Sequence, residues 1–251
     1  MPRFAVSLAQ RTCEEEQMDD LSAGGEHLER ALRELRYVNR FLGGYRALRR
    51  TFDPLIRTWS GGPLRILDLG AGMADHAVEL IRWGMRGGVP MQITALDANP
   101  AVAEYARSYL DRALSARDRT SVRIIAADAL DAPFSAGAFH VVTASLFLHH
   151  LDDAAAAALL TRMASIASIG IIVNDLHRHP LAYAGIRALA AVLPVSSMFR
   201  HDGPLSVRRA FTPDELARIA EAAGLDRAEV RRHWAFRLTL STIPRFPTGG
   251  L

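Results

Sequence analysis

The 251-residue chain contains no lysine. All 30 of its positive side chains are arginine, set against 27 acids, for a formal net charge of +3 and a sequence pI near 9.5. The arginines are interleaved with acids instead of gathering in one stretch, so no nucleic-acid partner is expected on charge grounds. The single cysteine, Cys13, excludes an intrachain disulfide and any multi-cysteine metal site. No apolar run approaches the roughly 20 residues needed to span a bilayer, so no stable membrane insertion is expected. The first residues, MPRFAVSLAQRTCEEEQ, lack a long apolar stretch and turn acidic early, unlike a secretory signal. These absences point to a soluble protein of a reducing compartment, the cytoplasm. Internal repeats and low-complexity tracts are also lacking.

What is present divides into two patterns. Residues 1–60 read as a helical cap, irregular or loosely helical up to SAGG and then helical. Leu28, Leu32, Leu35, Val38 and Leu42 fall on one stripe at helical spacing, and Gly43 and Gly44 break the helix before a second one. From residue 61 to 251 short apolar runs alternate with helices. The runs LRILDL, MQITALD, SVRIIAAD, FHVVTASL and IGIIVNDL read as strands, with helices between most of them. Fully apolar strands alternating with helices predict a parallel sheet covered on both faces. Residues 177–211 interrupt the alternation with an apolar helix, LAYAGIRALAAVL, and a loop, PVSSMFRHDGPLSVRRAF. A helix then starts at Thr212, with Pro213 at its first position and Glu215 completing a capping box. The last two runs, AEVRRHW and FRLTLST, are too close for a helical crossover and predict an antiparallel hairpin. The expected architecture is an α/β sheet of seven mostly parallel strands with an inserted helical segment.

The stretch ILDLGAGMAD, Ile66 to Asp75, runs from a strand through a tight glycine turn into a helix. A nicotinamide-binding turn requires G-x-G-x-x-G/A. Gly70 and Gly72 fit, but the third small position holds Asp75. Asp68 ends the strand just before the turn, where its carboxylate opposes a pyrophosphate and suits a cation. S-adenosylmethionine carries a sulfonium and an ammonium and no phosphate. Asp97 closes the second strand and can accept both hydroxyls of a ribose. Asp128 closes the third and can accept from the adenine amino group, with the Ala129 backbone beside the ring. Three acids at the carboxyl ends of three consecutive strands line the crevice where open α/β sheets bind ligands.

ILDLGAGMAD, ALDANPAVAEYA, IAADALDAPF and FHVVTASLFLHHLDD resemble the successive motifs of class I S-adenosylmethionine-dependent methyltransferases over roughly residues 64–176. The resemblance implies a Rossmann-like sheet and S-adenosylmethionine as cofactor, with S-adenosylhomocysteine as its product. It places Asp68, Gly70, Ala71 and Gly72 at the methionine end, Asp97 and Ala98 at the ribose, and Asp128 and Ala129 at the adenine. Ser145 completes the cofactor set. LRELRYVNRFLGGYR and NDLHRHPLAY look like bacterial small-molecule methyltransferases that act on phenolic products beside type III polyketide synthases. A looser likeness is to methyltransferases of quinone biosynthesis.

The expected activity is therefore methylation of a small, largely apolar secondary metabolite, at a phenolic or polyketide-derived hydroxyl. Alternatives are methylation of a ring carbon in a quinol-like acceptor, methylation of a carboxylate, and a cofactor-binding scaffold without turnover. A phenol benefits from a base near neutral pH, and histidine is the usual choice. His149, with Asp152 or Asp153 nearby, and His177 are the two candidate bases. Neither the His149–His150 pair nor the His177–His179 pair reads as a zinc site, because adjacent or i,i+2 histidines are poor chelators alone. Tyr37, Phe41, Tyr45, His150, Tyr183, Met198 and Phe199, with Ile186 and Leu189, are candidates for an acceptor pocket. Arg200 and His201 could instead hold an acidic group of the acceptor. The chain could also pair with a second copy as a homodimer.

Overall fold

A computed structural model describes residues 7–244. In chain order the elements are α1 (Gly25–Phe41), α2 (Gly44–Thr58), β1 (Leu64–Leu69), α3 (Asp75–Gly87), β2 (Met91–Asp97), α4 (Pro100–Ala113) and α5 (Ala116–Arg119). β3 (Val122–Ala126), β4 (Phe139–Ser145), α6 (Asp153–Ile166), β5 (Ala167–Leu176), α7 (Pro180–Val192) and α8 (Ser197–Arg209) follow. The chain closes with α9 (Pro213–Ala222), β6 (Glu229–His233) and β7 (Arg237–Ser241).

Period-two alternation sorts neighbouring strand residues onto opposite faces of the sheet. Ile66, Val141 and Ile172 join one buried cluster, with Phe52 of α2 and Val78 of α3. Leu67, Val142, Ile171 and Val173 join the other, with Leu160 of α6 and Leu216 of α9. Both faces are thus covered, as the near-continuous apolar strands require. The strand order is β3-β2-β1-β4-β5-β7-β6, parallel from β3 to β5, with β7 antiparallel to both β5 and β6. Only Trp234, Ala235 and Phe236 separate β6 from β7, too short a link for a crossover, so the two form the expected hairpin.

The local start signals act as their chemistry dictates. The Asn99 side chain accepts from the N–H groups of Ala101 and Val102 ahead of α4. Asp152 accepts from Ala155 N at the head of α6. Thr212 and Glu215 cap α9 reciprocally.

One expectation needs correction. The stretch expected to be a loop after the apolar helix contains α8. Pro204 lies inside that helix and removes one backbone donor, and Gly203 precedes it, so the sequence reads as broken. The helix is instead held from outside: Ser196 caps it by accepting from Phe199 N, and Glu34 of α1 accepts from Ser196 N and Oγ. Across the boundary near residue 60 the helical cap packs directly on the sheet. Leu48, Phe52, Leu55 and Ile56 of α2 share one cluster with Leu64 and Ile66 of β1. Among the described residues, no helix is long and apolar enough to cross a membrane.

Candidate active site

The carboxyl ends of the parallel strands open into a cavity of about 760 Å³. Gly70, Ala71 and Gly72 from the β1–α3 turn line it, with Asp97 and Ala98 after β2, Asp128 and Ala129 after β3, and Ser145 at the end of β4. Gly70 takes a left-handed conformation with φ of 61°, and a Cβ there would lie 2.5 Å from the Phe147 ring. Only glycine fits such a position without strain. The Gly72 N–H donates to Asp97 Oδ2 at 2.9 Å, and Asn99 N donates to Oδ1 at 3.0 Å. Asp97 thereby ties the end of β2 to the turn. Burial raises its pKa against the pull of those two N–H groups. Asp128 Oδ1 accepts from Leu130 N, which closes the loop after β3.

Asp68 does not face the cavity directly. It lies fully buried beneath the turn, with Oδ1 accepting from Thr143 Oγ1 at 2.7 Å and Oδ2 without a partner. Burial pushes its pKa up to about 6. Asp75 opens α3, where a pyrophosphate would meet the helix N-terminus. Its Oδ2 accepts from Tyr45 Oη at 2.7 Å and from Asn39 Nδ2 at 3.3 Å.

The donor set fits S-adenosylmethionine. Carboxylates stand at the ends of three neighbouring strands, and the glycine turn between them allows close backbone approach. Ser145 Oγ and His76 Nε2, both on lining residues, are buried polar atoms without partners. Such atoms are costly unless a ligand satisfies them. The fit to a dinucleotide is poor, because Asp75 sets a carboxylate at the helix N-terminus where a pyrophosphate would lie, with Asp68 buried beneath the turn.

The rest of the wall is mostly apolar. The stripe Leu28, Leu32, Leu35, Val38 and Leu42 of α1 faces the cavity, together with Ile186, Leu189 and Phe199. Of the aromatic candidates only Phe199 lies on this wall. Tyr37 and Phe41 stack on the outer face of α1, 52% and 65% exposed. Tyr45 is committed to Asp75. Tyr183 lies off the wall, with the Arg187 guanidinium over its ring, and Met198 packs behind the wall against Leu28, Leu32, Met73 and Val102. Arg200 donates to the Val195 carbonyl and His201 pairs with Asp202, so neither points to an acceptor role. The physical reason is helical geometry: residues 37 and 41 lie on the face of α1 opposite its apolar stripe.

One polar cluster breaks this wall. His149, on the turn after β4, is buried, and its Nδ1 pairs with Asp175 Oδ1 of β5 at 2.6 Å. Its backbone N–H donates to Asp175 Oδ2. Its Nε2 lies 3.6 Å from Glu16 Oε1. Burial works against the charged imidazole, but Asp175 and Glu16 outweigh it and push the pKa up to about 9. The neighbouring His150 also lines the cavity, with Nδ1 paired to Asp19 Oδ1 at 2.5 Å. The carboxylate partner of His149 is thus Asp175. Asp152 caps α6, and Asp153 pairs with Arg11. Two arginines hold the turn in place: Arg11 donates to the carbonyls of His149 and Leu151, and Arg209 to those of His149 and His150.

His177 is not brought to the cavity. Its backbone bridges to Phe211 and Phe236, its half-buried ring lies 5.5 Å from that of His179, and burial lowers its pKa. Sequence reasoning missed Glu16 and Asp19 entirely. They sit in the acidic run EEEQMDD, whose composition carries no sign of which acids turn inward. Arg237, fully buried on the cavity wall with Nη1 unpartnered, was also missed.

Residues 66–170 match the model of a methyltransferase domain family. A curated relative, the demethylmenaquinone methyltransferase of Roseiflexus sp. (strain RS-1), is 32% identical over 176 residues, which span 64% of this chain and 67% of that one. Among solved structures, a Nostoc punctiforme protein provisionally named an O-methyltransferase superposes with a TM-score of 0.61 at 15% identity. That match covers 88% of this chain and 63% of the other. Magnesium protoporphyrin IX methyltransferase of Synechocystis PCC 6803, crystallised with bound S-adenosylhomocysteine, gives a TM-score of 0.54 at 13% identity, covering 89% and 90%. At these identities the two structures speak for the fold alone.

Proposed function

The chain belongs to the class I S-adenosylmethionine-dependent methyltransferases, and from that premise we propose that it methylates an oxygen of a small, largely apolar, hydroxylated acceptor of phenolic or polyketide type. Bound S-adenosylmethionine supplies a methyl carbon on a sulfonium, open to in-line attack by an oxygen lone pair while sulfur keeps the electrons of the broken bond. The turn Gly70–Gly72, with Asp68 beneath it, would hold the methionine end. Asp97 and Ala98 would hold the ribose, Asp128 and Ala129 the adenine, and Ser145 would lie beside them.

The observation that carries the reading is the histidine–carboxylate cluster on a mostly apolar wall. Leu28, Leu35, Ile186, Leu189 and Phe199 offer no partner to a polar ring, so they favour an aromatic or alkyl body. A hydroxyl on that body finds its polar partner at Glu16, His149 and His150. There its proton can leave toward the cluster, which an already ionised carboxylate would not need. The apolar enclosure keeps water from competing for the methyl group.

A second reading is favoured by the curated relative, whose name says that it acts on demethylmenaquinone. It is transfer to a ring carbon of a quinol-like acceptor in the same cavity. The test uses methyl-labelled S-adenosylmethionine with alkylated phenols, hydroxylated pyrones, hydroquinones and long-chain carboxylic acids. Mass spectrometry detects transfer, and NMR separates O-methyl from C-methyl. O-methyl products from phenols or pyrones are expected. Transfer confined to ring carbon supports the second reading, and transfer confined to carboxylates, or to nothing in the set, overturns both.

A further inference from the structure

The two adjacent histidines are poor chelators by themselves, but the fold adds a third donor from the segment ahead of α1. One nitrogen of His149, one of His150 and one oxygen of Glu16 all lie within 4.8 Å of one another. Each imidazole has its Nδ1 engaged by a carboxylate, His149 by Asp175 and His150 by Asp19. That arrangement leaves Nε2 of both rings as the remaining donors. A carboxylate behind each histidine is also the pattern that orients metal-ligating imidazoles. Glu16 Oε2 accepts from Ser206 Oγ, while Glu16 Oε1 is buried with no hydrogen-bond partner. His149 Nε2 stands 3.6 Å from that oxygen, beyond a hydrogen bond, and a closer cation would satisfy the ionised form better.

The charges agree. With both imidazoles neutral, as metal ligands must be, Glu16, Asp19 and Asp175 bring three negative charges to the cluster, and Arg209, paired with Asp19 at 2.6 Å, returns one positive charge. A dication would offset the surplus. All three prospective ligands line the cavity, so coordination positions not taken by protein would open toward the acceptor.

We propose that Glu16, His149 and His150 bind a divalent first-row transition-metal ion at the acceptor end of the cavity. Two histidines and one carboxylate with open positions are a ligand set used by zinc and by non-haem iron. Ligands about 2.1 Å from a tetrahedral ion sit about 3.4 Å apart. The donors therefore draw together on binding, which side-chain rotation of Glu16 and His150 can accomplish. The use of the ion rests on the proposed function: an acceptor hydroxyl entering an open position would be held and acidified there, as metal-bound water is. The site itself does not depend on which acceptor is bound.

The test uses the full-length chain without a histidine tag, stripped with chelator and desalted. Zn(II) is titrated by calorimetry, and Co(II) is followed by its visible d–d absorption. One equivalent of each is expected, with Zn(II) displacing Co(II) and the Co(II) bands reporting nitrogen and oxygen ligands. Asp19→Asn, which keeps the shape but removes the charge of the group that backs His150 and also pairs with Arg209, should weaken binding about 10- to 100-fold. Glu16→Gln and His150→Gln should weaken it by at least that factor. Thermal unfolding and S-adenosylhomocysteine titration report folding of each variant, and any variant that fails them is set aside in favour of the other two. No stoichiometric site in the wild type, or an affinity unchanged in the folded variants, overturns the proposal. Because metal binding is read without an acceptor, its failure is distinct from a failure of methyl transfer.

Discussion

Replacing Asp68 by asparagine separates the stability of the fold from the needs of the cofactor. Asp68 is fully buried, holds one hydrogen bond from Thr143, and leaves Oδ2 unpartnered. Burial raises its pKa from 3.8 to about 6. The folded chain thus keeps this proton up to about pH 6, whereas the unfolded chain loses it near pH 4. Stability from this group is present at low pH and is lost as pH rises through that interval. At about 1.4 kcal/mol per pH unit, the ionised carboxylate costs the empty fold about 3 kcal/mol at neutral pH. In Asp68→Asn the Thr143 hydroxyl can still donate to the side-chain oxygen. The new amide nitrogen takes the unpartnered position, at a cost of about 1–2 kcal/mol. The cofactor-free variant should therefore be about 1–2 kcal/mol more stable than wild type at pH 8, by urea denaturation, with the gain shrinking toward pH 4.5. Its affinity for S-adenosylmethionine, measured by calorimetry, should fall, because the charge proposed to answer the sulfonium and ammonium is gone. A variant less stable than wild type at pH 8, or one that binds the cofactor as tightly, would refute the reasoning.

Three further outcomes are expected. Gly70→Ala combines a left-handed backbone costing about 1–2 kcal/mol with a contact at 2.5 Å to the Phe147 ring. It should destabilise by about 2–5 kcal/mol in urea denaturation and weaken S-adenosylhomocysteine binding. Arg178→Ala removes a buried guanidinium paired bidentately with Glu215 and bonded to the Ala210 and Leu8 carbonyls. The loss should be about 3–5 kcal/mol, read as a lowered denaturation midpoint. Leu189→Trp on the cavity wall should raise KM for the acceptor about tenfold, equal to about 1.4 kcal/mol, and leave S-adenosylhomocysteine affinity unchanged. A parallel loss of both would show that Leu189 touches the cofactor half of the cavity.

Local chemistry made much of the fold legible. The near-continuous apolar runs are strands because a parallel sheet buries both faces, and Thr212, Pro213 and Glu215 start α9 because they satisfy orphaned N–H groups within one turn. The glycine turn and the acids at three strand ends were readable for the same reason, since each sits at a fixed offset from its own strand. Residues whose roles depend on a distant partner were not. α8 was hidden because Pro204 breaks the helical pattern, while the contacts that hold it come from Glu34 of α1. The α1 stripe was visible as apolar, but sequence cannot say whether such a stripe meets core or cavity, and aromatic side chains drew the choice toward the solvent face instead.

The sequence by itself determined the sheet, its order of elements and the cofactor crevice, because periodicity, capping and turn chemistry act over a few residues. Tertiary structure alone decided the acceptor end. Asp175 reaches His149 only because β4 and β5 are neighbours, with Ser145 beside Asn174. Glu16 and Asp19 reach the two histidines because α8 fixes their segment over the cavity: Asp202 accepts from the N–H groups of Gln17 and Met18, Ser206 donates to Glu16, and Arg209 donates to Asp19. The partners each group meets, set against the cost of burial, then decide its charge state, and both belong to the packed molecule, not to any stretch of its chain.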